Sequence, residues 1–470
     1  MKTRELVAMG IPAGRCAETA KQILQKAKTA KRSMAGVRDD LGRVVASPAS
    51  FVDDETYGRL AQGLIEHAAA LGTFEPRACD APYQIWGTDL EPDALQQLKN
   101  ACKLPVAVAG ALMPDAHVGY GLPIGGVLAA RDAVIPYAVG VDIACRMKMT
   151  VLDLPVSALT DQEARLKGAL QRETRFGMGA TFRTPHQHEV MDLDWCVTPV
   201  TAKLKDRAWS QLGTSGSGNH FVEFGELIVH DRAAGLAPGT YLALLSHSGS
   251  RGSGAQVAQH YSGLARDLHP ELPRELSHLA WLDLSTEAGQ EYWAAMELMG
   301  RYAAANHQII HKQIARNLGV DVLLDLENHH NFAWRERHRL PDGTEGEVIV
   351  HRKGATPAGE GVLGIIPGSM ATPGYLVRGK GNAASLNSAA HGAGRRMSRT
   401  QAKQMFTWDA AQAFLRERNV TLISAGLDEV PMAYKDIDDV MAAQSDLVDT
   451  LARFEPRLVK MAPSGEPPED

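Results

Sequence analysis

The stretch AVIPYAVGVDIACRMKMTVL (residues 133–152) is the part of the sequence that sets the expected fold. Two apolar runs flank a short turn that carries Asp142 and Cys145, a pattern typical of β-strands whose ends hold polar side chains. The same pattern recurs in PVAVAGALMPDAH (105–117), GLPIGGVLAA (121–130) and YLALLSHSGSRG (241–252). We therefore expect several short strands with functional residues at their ends.

Helical stretches interrupt these strands without a regular strand–helix alternation. The spacing of apolar residues predicts helices at 14–33, 55–71, 93–102, 157–174, 286–317 and 400–418. Further strands are expected around 346–351, 361–366 and 374–378. Because strands and helices do not alternate strictly, the pattern favours an α+β fold over a doubly wound parallel sheet.

Composition narrows the classes of function. The chain has 470 residues and a net charge of -6, so a nucleic-acid substrate would have to be held by a local basic patch. Five cysteines without a CxxC pair argue against a disulfide framework and favour a reducing compartment. Neither a signal peptide nor a membrane-spanning apolar stretch is recognised, so we expect a cytoplasmic protein that does not act at a membrane.

Histidines in an unusual setting are the main candidates for chemistry. A lone loop histidine is normally a surface or hydrogen-bonding group, but four histidines here lie beside glycine, asparagine or serine at expected element ends: His220, His247, His330 and His391. Together with Asp142 and Cys145, they predict a divalent-metal site. A thiolate with imidazoles favours Zn²⁺, whereas Mn²⁺ prefers harder ligands. A shared thiolate can also bridge two ions, which suits phosphoryl chemistry.

Glycine-rich and basic segments point to phosphate. GTSGSGNH (213–220) resembles a phosphate cradle, yet it has no Gly-Lys-Ser/Thr continuation, which disfavours a P-loop NTPase. In HGAGRRMSR (391–399), His391 could attack a phosphorus atom whose charge Arg395 offsets, or it could simply be a hydrogen-bonding histidine. Basic residues beside glycine that could bind phosphate are Arg251, Arg352, Lys353, Arg395 and Arg396.

Taken in order, these segments resemble the RtcB family of RNA-splicing ligases. The resemblance covers roughly residues 88–461 and rests on an ordered set of motifs: DLEPDALQQLKNACKLP, MPDAHVGYGLPIGG, VGVDIACRM, LGTSGSGNHFVEF, HSGSRGSG, ENHHNFAW, HRKGATPA, IIPGSM, HGAGRRMSR and AYKDI. It implies one large catalytic domain (88–461), with central β-sheets surrounded by helices. Residues 1–87 are then a helical N-terminal segment of unknown role, and residues 462–470 a disordered tail.

The resemblance also implies an activity. It implies a GTP- and Mn²⁺-dependent ligase that joins RNA ends bearing a 3′-phosphate or 2′,3′-cyclic phosphate to 5′-hydroxyl ends, in tRNA splicing or RNA repair. His391 would carry GMP, and Asp115 would be a catalytic carboxylate near the bridging cysteine. The implied ligands of two metal ions are Asp142, Cys145, His220, His247 and His330. The implied guanylate contacts are Asn219, Glu223, Asn331, Ser369, Arg395, Tyr434 and Lys460.

Gly374 and the choice of metal bear on how the proposed site would work. Gly374 stands where the family often has a serine on the guanine side, and glycine offers no hydroxyl for that nucleobase contact. Ligand softness favours zinc while the resemblance implies manganese; two open-sided ions suit nucleotidyl transfer, so manganese is preferred for activity and zinc is an alternative occupant. Alternative functions are a dinuclear-metal phosphoesterase acting on RNA ends and a non-catalytic protein that binds RNA ends.

Overall fold

The structure is a computed structural model, and it describes residues 3–12, 15–30, 32–70, 74–340 and 343–467. The chain divides into two compact units. The smaller comprises residues 1–75 together with 270–273, and the larger comprises residues 76–269 and 274–470. No described helix has both the length and the apolar composition needed to cross a membrane.

The smaller unit is helical, with its own apolar core. Amphipathic helices bury Leu24, Leu41 and Leu60 against one another. The helix predicted at 14–33 is confirmed over residues 15–29, and residues 14 and 31 lie outside the described part. A separate helix that was not predicted begins after Ser33, whose hydroxyl accepts a hydrogen bond from the Gly36 N–H. The helices are α1 (Thr3–Ala8), α2 (Arg15–Thr29), α3 (Met34–Ala46) and α4 (Gly58–Ala70).

Ten helices are assigned in the described part of the larger unit. The prediction of one long helix at 286–317 is confirmed, and Thr286 caps its start by accepting from the Gly289 N–H. The helices are α5 (Pro92–Cys102), α6 (Pro136–Val139), α7 (Ala158–Asp161), α8 (Glu163–Glu173), α9 (Pro199–Gln211), α10 (Arg251–Leu268), α11 (Glu287–Leu318), α12 (Arg399–Met405), α13 (Trp408–Glu417) and α14 (Ile437–Ala442).

Two of the predicted helices are wrong as single elements. Residues 157–174 form α7 and α8, with Gln162 outside helical geometry between them. Residues 400–418 lie in α12 and α13, because Phe406 and Thr407 are extended and the Thr407 hydroxyl accepts from the Ala410 N–H to start the second helix. A side-chain cap accounts for the second break, whereas the break at Gln162 has no side-chain cap.

The strands of the larger unit form two main sheets and two small ones. Their bounds are β1 (Tyr83–Ile85), β2 (Ala107–His117), β3 (Ile124–Ala130), β4 (Ala133–Val134), β5 (Arg146–Leu152), β6 (Phe221–Val229), β7 (Gly239–Ser248), β8 (Leu282–Asp283), β9 (Val322–His329), β10 (Asn331–Arg339), β11 (Glu345–Lys353), β12 (Ala355–Pro357), β13 (Leu363–Ile366), β14 (Gly374–Gly379), β15 (Ser388–Ala390), β16 (Thr421–Ser424) and β17 (Val448–Met461).

The larger sheet has eight strands in the order β13–β14–β17–β6–β7–β5–β9, with β16 paired to β17. Its two ends come together because the Asn328 side chain on β9 bridges to β13. Asn328 Nδ2 donates to the Ile365 carbonyl at 3.2 Å, and Asn328 Oδ1 accepts from the Ile365 N–H at 2.9 Å. The sheet is therefore nearly closed, with Met147, Leu245 and Phe454 in the apolar cluster on one face.

The opposite face of this sheet packs against helices. Val222 and Leu244 share a buried cluster with Ile310 and Ile314 of α11. The second main sheet has the order β1–β2–β3–β11–β10, and β12–β15 and β4–β8 form two-stranded sheets. Central sheets with helices outside confirm the predicted α+β fold class.

Candidate metal and nucleotide site

Four adjacent strands have their site-bearing ends at the same end of the eight-stranded sheet. Strands β5 and β6 begin there, and their antiparallel neighbours β7 and β9 end there. Cys145 directly precedes β5 and His220 directly precedes β6, whereas His247 lies at the end of β7 and His330 follows β9. Residues that are far apart in the sequence are therefore neighbours, because antiparallel pairing aligns these ends.

The side chains form two groups that share one thiol. Asp142, Cys145 and His220 form the first group, and Cys145, His247 and His330 form the second. Cys145 Sγ lies 3.4 Å from His220 Nε2 and 3.1 Å from His247 Nε2. His247 Nε2 lies 3.1 Å from His330 Nε2. All five residues are buried, so the two groups could each hold a metal ion with the sulfur between them.

Protonation makes this donor set fit a cation. His247 Nδ1 is 3.1 Å from the Asn219 carbonyl, which requires an N–H at Nδ1 and leaves the Nε2 lone pair facing Cys145 and His330. Burial lowers the pKa of His247 to about 3 and that of His330 well below its usual value. Neutral imidazoles whose lone pairs converge are the form that metals bind. Nδ1 of His220 and Nδ1 of His330 are also buried without a hydrogen-bond partner among the described residues.

Asp142 is held as a carboxylate in this cluster. Burial by itself would raise the pKa of Asp142, but hydrogen bonding and charge from His220 outweigh it and lower that pKa below its usual value. His220 Nε2 lies 3.1 Å from Oδ2, and the Ser250 N–H donates to Oδ1 at 3.0 Å. A Cβ at Gly249 would lie 2.1 Å from this carboxylate, so only glycine fits in SHSGSRG at that point.

His391 lies beside the second group and is oriented by Asp115. Its ring centroid is 4.8 Å from that of His330. His391 Nδ1 lies 2.7 Å from Asp115 Oδ2, and the His391 backbone N–H donates to the same oxygen at 3.2 Å. Asp115 is fully buried. With the Nδ1–H group donating to this carboxylate, the lone pair of His391 lies on Nε2, as a nucleophilic nitrogen requires.

The two asparagines support the loops of the site. Asn331 Nδ2 donates to the Asp142 carbonyl at 3.2 Å, and Asn331 Oδ1 accepts from the Gly354 N–H at 2.8 Å. Asn219 uses its carbonyl to orient His247. Asn331 therefore ties the Asp142 loop to Gly354, and the Asn219 carbonyl orients the His247 ring.

Arg395 and Tyr434 are brought together around a carboxylate that sequence reasoning missed. Arg395 Nη1 donates to Glu429 Oε2 at 3.2 Å, and Nη2 donates to the Asp428 carbonyl at 2.8 Å. The Tyr434 hydroxyl donates to Glu429, and the arginine lies over the tyrosine ring at 5.1 Å. Glu429 is buried in LDEVPMAY, five residues before Tyr434, but an acid in a short polar turn gave no signal of its own.

Ser369 and Gly374 lie on the same turn. Ser369 Oγ is 2.9 Å from Thr372 Oγ1, which also accepts from the Ser369 N–H. A Cβ at Gly374 would lie 3.3 Å from Pro367 Cα and 3.4 Å from the Ile366 carbonyl. A serine there would be tightly packed, and the backbone conformation does not itself require glycine.

Glu223 and Lys460 do not come together. Glu223 pairs with Val459 across β6 and β17, whereas Lys460 pairs with Val222, and paired residues share a face of the sheet. Lys460 Nζ donates to Thr174 Oγ1 at 2.9 Å at the end of α8. Burial, and then the charge of Arg175, lower the pKa of Lys460 to about 8. Burial raises the pKa of Glu223 well above its usual value, which favours a neutral carboxyl group.

Several side chains of GTSGSGNH are buried, as are two of the arginines beside glycine. Thr214, Ser215 and Ser217 are buried, and the buried Arg251 donates to Thr214 Oγ1 at 3.1 Å. Arg352 is buried in an ion pair with Glu336. These groups support the fold beneath the site. Ser250, which binds Asp142, was missed, although it lies in the SHSGSRG motif that marked His247.

The fold and the buried cysteine–histidine–aspartate cluster define the class as a mixed α+β protein with a candidate dinuclear metal centre. A family model described as tRNA-splicing ligase RtcB matches residues 97–198 and 193–461. An RNA-splicing ligase RtcB from Escherichia coli (strain K12) is 34% identical over 406 residues, covering 79% of this chain and 95% of the relative. A tRNA-splicing ligase RtcB from Nanoarchaeum equitans is 32% identical over 459 residues, covering 81% and 95%. The chain therefore belongs to the RtcB family, as its motifs predicted.

Proposed function

We propose that this RtcB-family enzyme is a GTP- and Mn²⁺-dependent RNA ligase that joins 3′-phosphate or 2′,3′-cyclic phosphate ends to 5′-hydroxyl ends. The observation that carries the proposal is the pair of ligand groups sharing Cys145, with His391 directly beside one of them. Two metals and one oriented imidazole are the groups that a nucleotidyl transfer to histidine needs.

The residues that would hold the metals are assigned by the two groups. Asp142, Cys145 and His220 would bind one ion, and Cys145, His247 and His330 the other. Bound there, the ions would offset the negative charge of a phosphate group. The carboxylate suits manganese in catalysis, and zinc is the alternative occupant of the same thiolate and imidazoles.

His391 would act as the nucleophile towards GTP. The Asp115 carboxylate accepts a hydrogen bond from the Nδ1–H group, which leaves the Nε2 lone pair free to attack the α-phosphorus. A phosphorus–nitrogen bond forms, the α–β phosphoanhydride bond breaks, and pyrophosphate leaves with the bonding electron pair. The carboxylate of Asp115, buried and fixed, stabilises the positive charge that develops on the ring.

RNA would then take the guanylate from His391. An oxygen of the RNA 3′-phosphate attacks the phosphorus and releases neutral His391, leaving a 3′-phosphate activated by GMP. The 5′-hydroxyl attacks that 3′-phosphorus, loses its proton and displaces GMP. A cyclic phosphate end must first be opened by water to the 3′-phosphate.

The guanylate itself would lie beside His391, held by residues from several elements. We assign this role to Asn219, Glu223, Asn331, Ser369, Arg395, Tyr434 and Lys460. A neutral Glu223 carboxyl group could both donate to and accept from a purine edge. Lys460 is the member of the set that would have to leave its present partner, Thr174.

Transfer of radiolabel from [α-³²P]GTP to the protein tests this proposal. We expect a Mn²⁺-dependent, acid-labile adduct on the native chain and none on His391→Ala. His260→Ala is the matched control, because that exposed histidine lies on α10 outside the cluster. An absence of adduct on the native chain would contradict the ligase mechanism and favour a phosphoesterase or an RNA-binding protein, and an adduct on His391→Ala would move the nucleophile elsewhere.

A further inference from the structure

A cavity of about 440 Å³ in the larger unit shares no lining residue with the proposed metal ligands or guanylate contacts. It is lined by Gln97, Asn100, Gly119, Tyr120, Gly121, Arg274, Glu275, Ser277 and His278. Tyr120 is the most prominent of these residues, because it is 69% exposed. An exposed aromatic ring at the rim of a cavity offers a flat apolar face to a ligand.

The backbone that carries Tyr120 is fixed from three directions. Gln97 on α5 donates from Nε2 to the Gly119 carbonyl at 2.5 Å and accepts from the Gly119 N–H at 3.0 Å. Lys353 Nζ donates to the Tyr120 carbonyl at 2.6 Å. Gly121 has a positive φ, and a Cβ there would lie 2.8 Å from the His278 carbonyl. The exposed ring is therefore mounted on an ordered loop, which reduces the entropy lost when a ligand binds.

The two charged residues of the cavity lining have opposite signs, and two other lining side chains are aromatic rings. The His278 ring lies edge-on to Tyr120 at 5.8 Å and to Tyr137 at 4.7 Å. Burial, and then the charges of Arg266 and Lys353, lower the pKa of His278, which favours a neutral ring. Arg274 is matched by Glu275 on the cavity wall, so the wall does not favour an anion such as a phosphate. Ring faces with nearby amides suit an uncharged, flat heterocycle.

The cavity is also linked to the reacting end of the site. The Tyr120 loop leaves β2 just after Asp115 and His117, and Lys353, which holds the loop, precedes Gly354. A Cβ at Gly354 would lie 3.1 Å from His391 Cε1. The path from His391 to the cavity runs through Gly354 and the Lys353 side chain to the Tyr120 carbonyl. It is thus on the order of 10 Å long.

We propose that this cavity receives one unstacked nucleobase of the RNA substrate, which stacks on Tyr120 within a few nucleotides of the join. The inference rests on the proposed ligase function and names how its substrate is held. Because stacking needs only a π face, such a subsite would tolerate any base and would position single-stranded ends without reading their sequence.

Abasic scanning in a double-mutant cycle tests the proposal. Binding of fluorescent RNA strands ending in 3′-phosphate or 5′-hydroxyl is measured with single abasic nucleotides placed at successive positions from the end. For the native chain, we expect one position where the abasic nucleotide weakens binding about tenfold. Tyr120→Ala should weaken binding of intact RNA by a similar factor and abolish the extra loss at that position. Tyr120→Phe should restore both.

The controls separate this proposal from the ligase proposal. Leu323→Ala removes an exposed apolar side chain at the start of β9, the end of that strand opposite the site, and should bind RNA as the native chain does. Adduct formation with GTP, which needs no RNA, reports whether each variant is folded and whether the ligase proposal holds. If Tyr120→Ala keeps native affinity and the native abasic profile, the subsite is contradicted, and it is equally contradicted if Tyr120→Phe behaves as Tyr120→Ala.

Discussion

Two neighbouring residues of β7 place two kinds of buried histidine cluster on opposite faces of the same sheet. On one face, His247 meets His330 with ring nitrogens 3.1 Å apart beside the Cys145 sulfur. On the other face, Ser246 Oγ lies 2.7 Å from His307 Nδ1 and 2.7 Å from His311 Nε2 of α11. Both clusters are buried, and burial lowers the pKa values of His247 and His330 on one face and of His307 and His311 on the other.

The clusters differ in what their nitrogens face. His307 Nε2 donates to the Ser248 carbonyl at 3.1 Å, and His311 Nδ1 lies 2.6 Å from Thr150 Oγ1, so both nitrogens of each ring have a partner. In the His247 cluster, lone pairs point at one another and two ring nitrogens have no partner within the described chain. A buried histidine with a hydrogen-bond partner on both ring nitrogens is thus a structural residue. A buried histidine that lacks such partners is a candidate metal ligand.

The largest effect is expected when the shared thiol is removed. Cys145→Ala takes one ligand from each group at once, so manganese affinity should fall by more than about a hundredfold, beyond the loss typical for residues that only support ligands. Metal content after equilibrium dialysis and GTP-adduct yield are the measurements. Cys196→Ala, at an exposed cysteine, is the matched control and should bind metal normally. Normal metal content in Cys145→Ala would contradict the claim that the cluster on the His247 face binds metal through Cys145.

His351 is another buried histidine whose ring nitrogens are both hydrogen-bonded, and it should make the stability of the fold depend on pH. His351 Nε2 accepts from the Ile135 N–H at 2.9 Å, and Nδ1 lies 3.1 Å from the Leu128 carbonyl, so the neutral ring is fully bonded. Burial lowers the pKa of His351 to about 4. The unfolded chain therefore takes up a proton at a higher pH than the folded chain does, and this stability is present above about pH 6.5 and lost as the pH falls towards 4.

The size of this effect is about 3 kcal/mol for a fully buried ring, as an upper value. Urea unfolding between pH 7 and pH 4.5 measures it, with His260→Gln as the exposed control. In His351→Gln the free energy of unfolding should be lower at pH 7 and should fall less steeply with acid. An unchanged slope in His351→Gln would show that this histidine does not carry the acid sensitivity.

The smallest effect is expected when Ser246, on the face of the sheet that packs against α11, is replaced. Ser246→Ala leaves His307 Nδ1 and His311 Nε2 without their shared partner, which should lower the free energy of unfolding by about 1–3 kcal/mol. Metal content should stay native, since Ser246 points away from His247. Chemical denaturation is the measurement, and Ser210→Ala on α9 should change stability by less than about 0.5 kcal/mol. Loss of metal in Ser246→Ala would mean that the two faces are coupled.

Much of this comparison could be predicted from sequence, and the reason lies in local signals. Glycine and serine beside His220 and His247 mark tight turns at strand ends, and these turns do lie together. His307 and His311, four residues apart on one helix, carry no local sign that a serine on β7 will close their hydrogen bonds. That pairing depends on contacts 61 and 65 residues apart.

The same limit applies to β17 and Lys460. The strand at 448–461 was not predicted because charged residues alternate with its buried ones, and Pro456 sits at an irregular register with β6. Without that strand, the face on which Lys460 lies could not be known. Motifs identify which residues carry chemistry, but sheet register decides which of them meet.

Electron paramagnetic resonance of the manganese-loaded chain tests the central claim most directly. Two Mn²⁺ ions that share the Cys145 sulfur should give a spin-coupled spectrum at two equivalents of metal, and Cys145→Ala should give only uncoupled Mn²⁺. A spectrum of isolated ions in the native chain at every loading would contradict a dinuclear centre bridged by Cys145.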